Sequence, residues 1–230
     1  MATNTLSILK PSVNNLTVRA FVRAAGLDVE EADVWGKKST PEFLAKDPAD
    51  LTPLLEEAGL QKGVLWESCA IMQYLCNKHG LERFYPTDPA ARATVDSAMF
   101  YLIGTLYPLV ARATYPALGF GQYPGEVGSS PADDALKAQA QQDALAALAG
   151  PLEVYRSFYL DGKAFIGGSS PSIADIRLAA TLEFLRAIDY DAPAWVADYT
   201  AAIEEALGDA YTEPAQDVRD YIAYVESQRA

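Results

Sequence analysis

The spacing of apolar and polar positions changes along the chain, and the change divides it into two unlike halves. Residues 5–10, Thr-Leu-Ser-Ile-Leu-Lys, form a short strand pattern. After the polar stretch Pro11-Ser12-Val13-Asn14-Asn15, a helical run extends from Leu16 to Ala25 and stops at Gly26. Val29 to Val34 predicts a second strand. Ser39-Thr40-Pro41-Glu42 is a helix start with proline in its first turn, and Asp47-Pro48 ends that helix. Further strands are expected at 53–56 and 63–66, separated by Gly59 and Gly63, before a helix from Glu67 to Lys78 that stops near Gly80.

Tyr85-Pro86-Thr87-Asp88-Pro89 reads as a linker, and everything beyond it reads as helix. Residues 90–118 predict one long apolar helix rich in tyrosine. Residues 119–131 carry four Gly, two Pro and two Ser and suit a surface loop. A helix follows from about Asp133, with Leu145, Leu148, Leu152 and Tyr155 on one face and Gly150-Pro151 as a kink. Ser172 with Asp175 three residues on is a capping pair. It opens a helix whose apolar face is Ile173, Ile176, Ala180 and Phe184. The expected division is therefore 1–82, a linker at 83–90 and an all-helical part at 91–230. The order β-α-β-α-β-β-α in the first part is that of a thioredoxin-like α/β domain.

Composition narrows the function. The chain has 230 residues, half of them hydrophobic, and a net charge of −13. That balance disfavours nucleic acid and anionic membrane surfaces, both of which reward Lys and Arg. An anion site has to be made locally against this field. The N-terminus lacks the pattern of a secretory signal, and no segment is expected to reach membrane-spanning length. Cys69 and Cys76 lie two helical turns apart, too far to bridge, and read as free buried thiols of a reducing compartment. His79, the one histidine, is expected at a helix end. The sequence holds no metal cluster or phosphate loop.

Two short pieces carry the candidate chemistry. Leu51-Thr52-Pro53-Leu54-Leu55 is a strand entered through an X–Pro bond, and such a proline is unusual unless its bond is cis or the strand is an edge. A cis bond would expose the N–H and C=O of Thr52 to a peptide-like ligand. Trp66-Glu67-Ser68-Cys69-Ala70-Ile71 is a helix start that can surround an anion with backbone N–H groups and a hydroxyl. Read without a ligand, Glu67-Ser68 is a helix cap.

Together with Phe165-Ile166-Gly167-Gly168 and Ser172-Ile173-Ala174-Asp175, these pieces resemble the glutathione S-transferase family along nearly the whole chain. The resemblance implies a thioredoxin-like domain joined to an all-helical one, a homodimer, a cytoplasmic location and a role in detoxification. It places the gamma-glutamyl group of glutathione, the co-substrate, at Glu67 and Ser68, and its peptide backbone along Thr52-Pro53. Lys38 is the candidate for holding the glycine carboxylate, because the run Asp47-Pro48-Ala49-Asp50 before Pro53 is acidic where the family often has a basic residue. The family activates the thiol with a Tyr, Ser or Cys in the loop after the first strand. Here that loop has no Tyr and no Cys, and the candidates are Asn14 or Asn15, then Ser12, with Thr17 also in reach. Asparagines there can alternatively cap the first helix.

Tyr107, Arg112 and Tyr115, with Tyr101, lie on the long helix that walls the second-substrate cleft in the family. The expected reaction is attack of the glutathione thiolate on a small apolar electrophile, by conjugation, ether cleavage or dehalogenation. The competing reading is a non-catalytic interaction module. Arg19-Ala20-Phe21, Thr40-Pro41-Glu42-Phe43-Leu44 and Tyr115-Pro116-Ala117-Leu118-Gly119 are similar to the transferase-like domain of the gamma subunit of the eukaryotic elongation factor one complex.

Overall fold

The computed structural model describes residues 4–121 and 134–228. Its first part is a four-stranded sheet. β1 (Thr5–Ile8) lies parallel to β2 (Glu30–Asp33) and antiparallel to β3 (Leu54–Glu56), which pairs with β4 (Val64–Trp66), giving the order β2-β1-β3-β4. Leu6 faces Leu55 across the sheet, and both are fully buried. Helices α1 (Val13–Ala24), α2 (Pro41–Lys46) and α3 (Ser68–His79) complete the thioredoxin-like arrangement expected from the sequence.

One boundary moves. α1 begins at Val13, not Leu16, so Asn14, Asn15 and Thr17 belong to its first turns. Ser12 is the N-cap residue but makes no capping bond with its side chain. The asparagines do not cap the helix. They sit inside it because each finds a tertiary partner, which outweighs their weak helix propensity. The other ends follow local chemistry. Thr40 accepts a hydrogen bond from the Phe43 N–H at the start of α2, and Gly80 closes α3 in the left-handed conformation, with His79 as the last helical residue.

The second part is helical: α4 (Pro89–Tyr101), α5 (Tyr107–Leu118), α6 (Asp134–Ala147), α7 (Ala149–Val154), α8 (Ile173–Leu182), α9 (Ala194–Leu207) and α10 (Asp209–Ser227). The long helix expected at 90–118 is interrupted by a wider π turn at Leu102–Leu106. The break between α6 and α7 falls at Leu148, where Pro151 cannot supply the next helical N–H. Most of the loop expected at 119–131 lies outside the described residues; α5 stops at Leu118, with Gly119 left-handed.

The run Pro89–Leu118 corrects the expectation about membrane length, being long and apolar enough to span a bilayer by length and composition. Its apolar positions Val95, Met99, Leu102, Leu106 and Val110 are instead packed in the protein core.

α8 crosses the centre of this part with all ten residues buried. The expected capping pair is present and extended. The Asp175 carboxylate accepts from the N–H groups of Ile166 (2.7 Å), Gly167 (3.0 Å) and Ser172 (2.8 Å), and from the hydroxyls of Ser172 (2.7 Å) and Tyr199 (2.8 Å). Burial pushes its pKa up, and the Ser172, Ile166 and Gly167 donors pull it back. Gly167 has to be glycine, since a Cβ there would stand 2.5 Å from the Ser170 carbonyl oxygen. The two parts are joined through α1, which packs on α8 and α10. Arg19, itself buried, pairs with Glu31 (2.8 Å) on one side and Asp217 (2.8 Å) on the other.

Candidate active site

A cavity of about 340 Å³ opens where the sheet meets α5 and α8, a size typical of small-molecule sites. Its lining includes Asn14, Thr52, Pro53, Glu67 and Ser68 from the first part, and Ile103, Tyr107, Tyr115 and Arg177 from the second.

The Thr52–Pro53 peptide bond is cis. Among the described residues, neither the N–H nor the carbonyl of Thr52 is taken up in a protein hydrogen bond, so both can pair with an extended peptide. Glu67 adopts φ 73°, a conformation that side chains other than glycine's rarely take and that costs about 1–3 kcal/mol. Its side chain makes no capping bond to α3 and is exposed, so the plain helix-cap reading does not hold for it. Ser68 follows as the first residue of α3, where unpaired N–H groups and the positive end of the helix dipole favour a carboxylate.

The candidates in α1 separate cleanly. Asn15 is fully buried and donates to the Thr52 hydroxyl at 3.0 Å, holding the proline turn against the helix. The Thr17 hydroxyl is spent on the Val13 carbonyl, at 2.8 Å. Neither residue lines the cavity, and neither does Ser12; Asn14 does. Its amide donates to the Tyr107 hydroxyl at 3.0 Å, and Tyr107 and Tyr115 join through their hydroxyls at 3.0 Å. Tyr107 and Tyr115 are two turns apart on one face of α5, whereas Arg112 is turned away and does not line the cavity. Tyr101 packs with Tyr155 and Tyr159 at ring separations of 5.8 and 5.9 Å.

Lys38 also lies off the cavity, beside Asp50. The acidic run has structural work. The fully buried Asp47 carboxylate accepts from the N–H groups of Ala49 (2.9 Å) and Leu51 (2.7 Å), and Asp50 is held by the Ser39 hydroxyl at 2.5 Å, which keeps its pKa below the usual carboxylate value. This departure from the expected basic residue therefore shapes the loop that presents Thr52.

Sequence reasoning missed Arg177. It stands in the otherwise apolar run Ile173-Ala174-Asp175-Ile176-Arg177-Leu178, where a lone cation in a helix buried on all sides was the available signal. Cys69, next to it, is a free thiol whose pKa burial pushes up, with Arg177 pulling the other way. Cys76 is also free, and its pKa is raised by burial to about 12.

Two family models match the chain. Residues 5–77 match the glutathione S-transferase N-terminal domain, and residues 134–204 match the glutathione S-transferase C-terminal domain, together more than half of the chain. The chain belongs to the glutathione S-transferase family. Among its relatives, glutathione S-transferase D6 of Drosophila melanogaster is 27% identical over 184 residues, 78% of this chain and 76% of that one. Among solved structures, a Bombyx mori glutathione transferase superposes with a TM-score of 0.76 at 27% identity, covering 98% of each chain. A delta-class glutathione transferase of Nilaparvata lugens gives 0.71 at 28% identity, covering 96% of this chain and 99% of that one. Human glutathione S-transferase T1-1 shares the fold, with a TM-score of 0.73 at 22% identity, covering 96% of this transferase and 99% of that chain.

Proposed function

We propose that this transferase binds glutathione with its gamma-glutamyl group at Glu67 and Ser68, its peptide backbone along Thr52-Pro53, and its thiol at Asn14. Glutathione is the co-substrate. The observation that carries this reading is the single cavity in which the unpaired Thr52 backbone, the start of α3 and Asn14 all face one space. An ordinary thiol ionises near pH 8.5, so the site has to favour its anion. Asn14 lies in the first turn of α1, where the helix dipole and an amide donor both do so.

The thiolate then attacks a small apolar electrophile resting against Ile103, Tyr107 and Tyr115. The sulfur–carbon bond forms as the leaving group departs with its electron pair, or as the electron pair of an acceptor double bond is displaced. Conjugation, ether cleavage and dehalogenation all fit this step. The division at 83–90, a cytoplasmic location and a role in detoxification belong to the same reading.

Titration calorimetry with glutathione, alongside retention on immobilised glutathione, tests the proposal. Saturable binding below millimolar concentration is expected, and no binding at millimolar concentration overturns it. A homodimer is expected by light scattering, with the first domain of one chain against the second domain of the other; a monomer at all concentrations refutes that part.

A further inference from the structure

Arg177 is 2% exposed, at the centre of a helix buried on every side. Its guanidinium donates to the Thr181 hydroxyl at 2.8 Å and to the Asn14 side-chain oxygen at 2.6 Å, and its carbon lies 4.9 Å from the Tyr107 ring centre. Its Nε has no partner. All of these neighbours are neutral. Among the described residues, no carboxylate lies within ion-pair distance of Arg177, whereas the other buried arginine, Arg19, has two. Burying a cation without an anion costs several kcal/mol. The titratable groups around it do not offset this cost, since burial pushes the pKa of both the Cys69 thiol and the Tyr155 phenol upward and keeps both protonated. Glu67 shares the cavity that Arg177 lines but makes no ion pair with it, so the negative charge that Arg177 lacks is one an anion bound in this cavity supplies.

The guanidinium also decides how Asn14 is oriented. Arginine can only donate, so the Asn14 atom facing it has to be the carbonyl oxygen. The amide nitrogen then faces the Tyr107 hydroxyl. That nitrogen carries two hydrogens, one for Tyr107 and one left for the cavity. Each hydrogen bond in such a chain strengthens the next, so a buried positive charge at one end makes the Asn14 amide a better donor at the other.

We propose that Arg177 is the positioning residue for the transfer chemistry, its guanidinium orienting and polarising the Asn14 amide so that this amide stabilises the glutathione thiolate. The proposal rests on the transferase reading. The thiol proton leaves to solvent. The sulfur anion accepts from the Asn14 amide and gains the field of the guanidinium behind it.

The thiolate absorbance of bound glutathione, followed against pH, tests the proposal. Arg177→Met is expected to raise the bound thiol pKa by about one unit, a tenfold loss of thiolate stabilisation, and to shift the acidic limb of the kcat/KM profile upward with it. Arg177→Lys restores part of the shift. Glutathione affinity at alkaline pH, where the thiol is ionised in any case, stays within about threefold of the parent, since the Glu67–Ser68 end is untouched. An unchanged thiol pKa and pH profile in Arg177→Met overturns the proposal, whatever happens to thermal stability. Should Arg177→Met fail to fold, Arg177→Gln, which keeps an amide donor toward Asn14 but no charge, is read in the same way: an upward shift of the bound thiol pKa supports the proposal and an unshifted one overturns it. A parent protein that binds no glutathione gives a different result and overturns the transferase reading itself.

Discussion

At the Glu67–Ser68 end of the cavity, the groups offered to a ligand are mostly main chain: the N–H and carbonyl of Thr52 and the first N–H groups of α3. At the Asn14 end, they are side chains assembled from three elements, with Asn14 reaching a residue 93 positions away in one direction and 163 in the other. A main-chain site needs only a turn and a helix start, which a few adjacent residues can encode. A side-chain site depends on where α5 and α8 are placed, and so on the whole helical core. The first kind is robust to substitution, whereas the second can be retuned by a single residue.

The largest test of this contrast is Asp175→Ala. It leaves the N–H groups of Ile166, Gly167 and Ser172 buried without an acceptor, and chemical denaturation is expected to show a loss of about 3–5 kcal/mol. Because α8 carries Arg177, the remaining folded protein should lose thiol activation before it loses glutathione affinity. Ser68→Ala acts at the other end. Removing a donor to a charged group should weaken glutathione binding by roughly tenfold or more in calorimetry while leaving the bound thiol pKa in place. A shifted thiol pKa in Ser68→Ala would join the two ends and end the comparison.

Tyr107→Phe removes the acceptor of the Asn14 amide. It should lower kcat/KM by about fivefold, a neutral hydrogen bond's worth, with little change in glutathione affinity. The smallest effect is expected at Asp50, which supports the loop before Thr52. Its pKa is depressed by the Ser39 hydroxyl, so its stabilisation is present above the ordinary carboxylate value near pH 3.9 and is lost as pH falls through the lower folded value. Asp50→Asn should therefore be less stable than the parent at neutral pH, by at most about 0.5 kcal/mol given its solvent contact, and equal to it in strong acid. Thermal unfolding across pH measures this.

The contrast also explains what could be read from the sequence. The sheet, α2 and α3 follow from alternation, a proline in the first helical turn and a closing glycine, all local signals. The α8 cap was legible for the same reason, as Ser172 and Asp175 are three residues apart. The start of α1 was not, because Asn14 and Asn15 favour turns until Tyr107, Arg177 and Thr52 give them partners. The family resemblance put Tyr107, Arg112 and Tyr115 together on the helix that walls the cleft, but which of them face the cavity depends on how that helix is turned, and Arg112 does not line it. Lys38 was chosen by position along the chain, and the loop that holds Asp50 carries it elsewhere.

The π turn at Leu102–Leu106 sets the phase of everything after it. A helix advances about 100° per residue, so one residue fewer in that turn would swing Tyr107 and Tyr115 roughly a quarter of the way around the axis while α4 stayed where it is. The wall of the cavity is thus mounted on a rotary joint. A single insertion or deletion there would exchange the side chains on this wall of the cavity in one step and take the Tyr107 hydroxyl from Asn14, while the Thr52 turn and the start of α3 stayed in place.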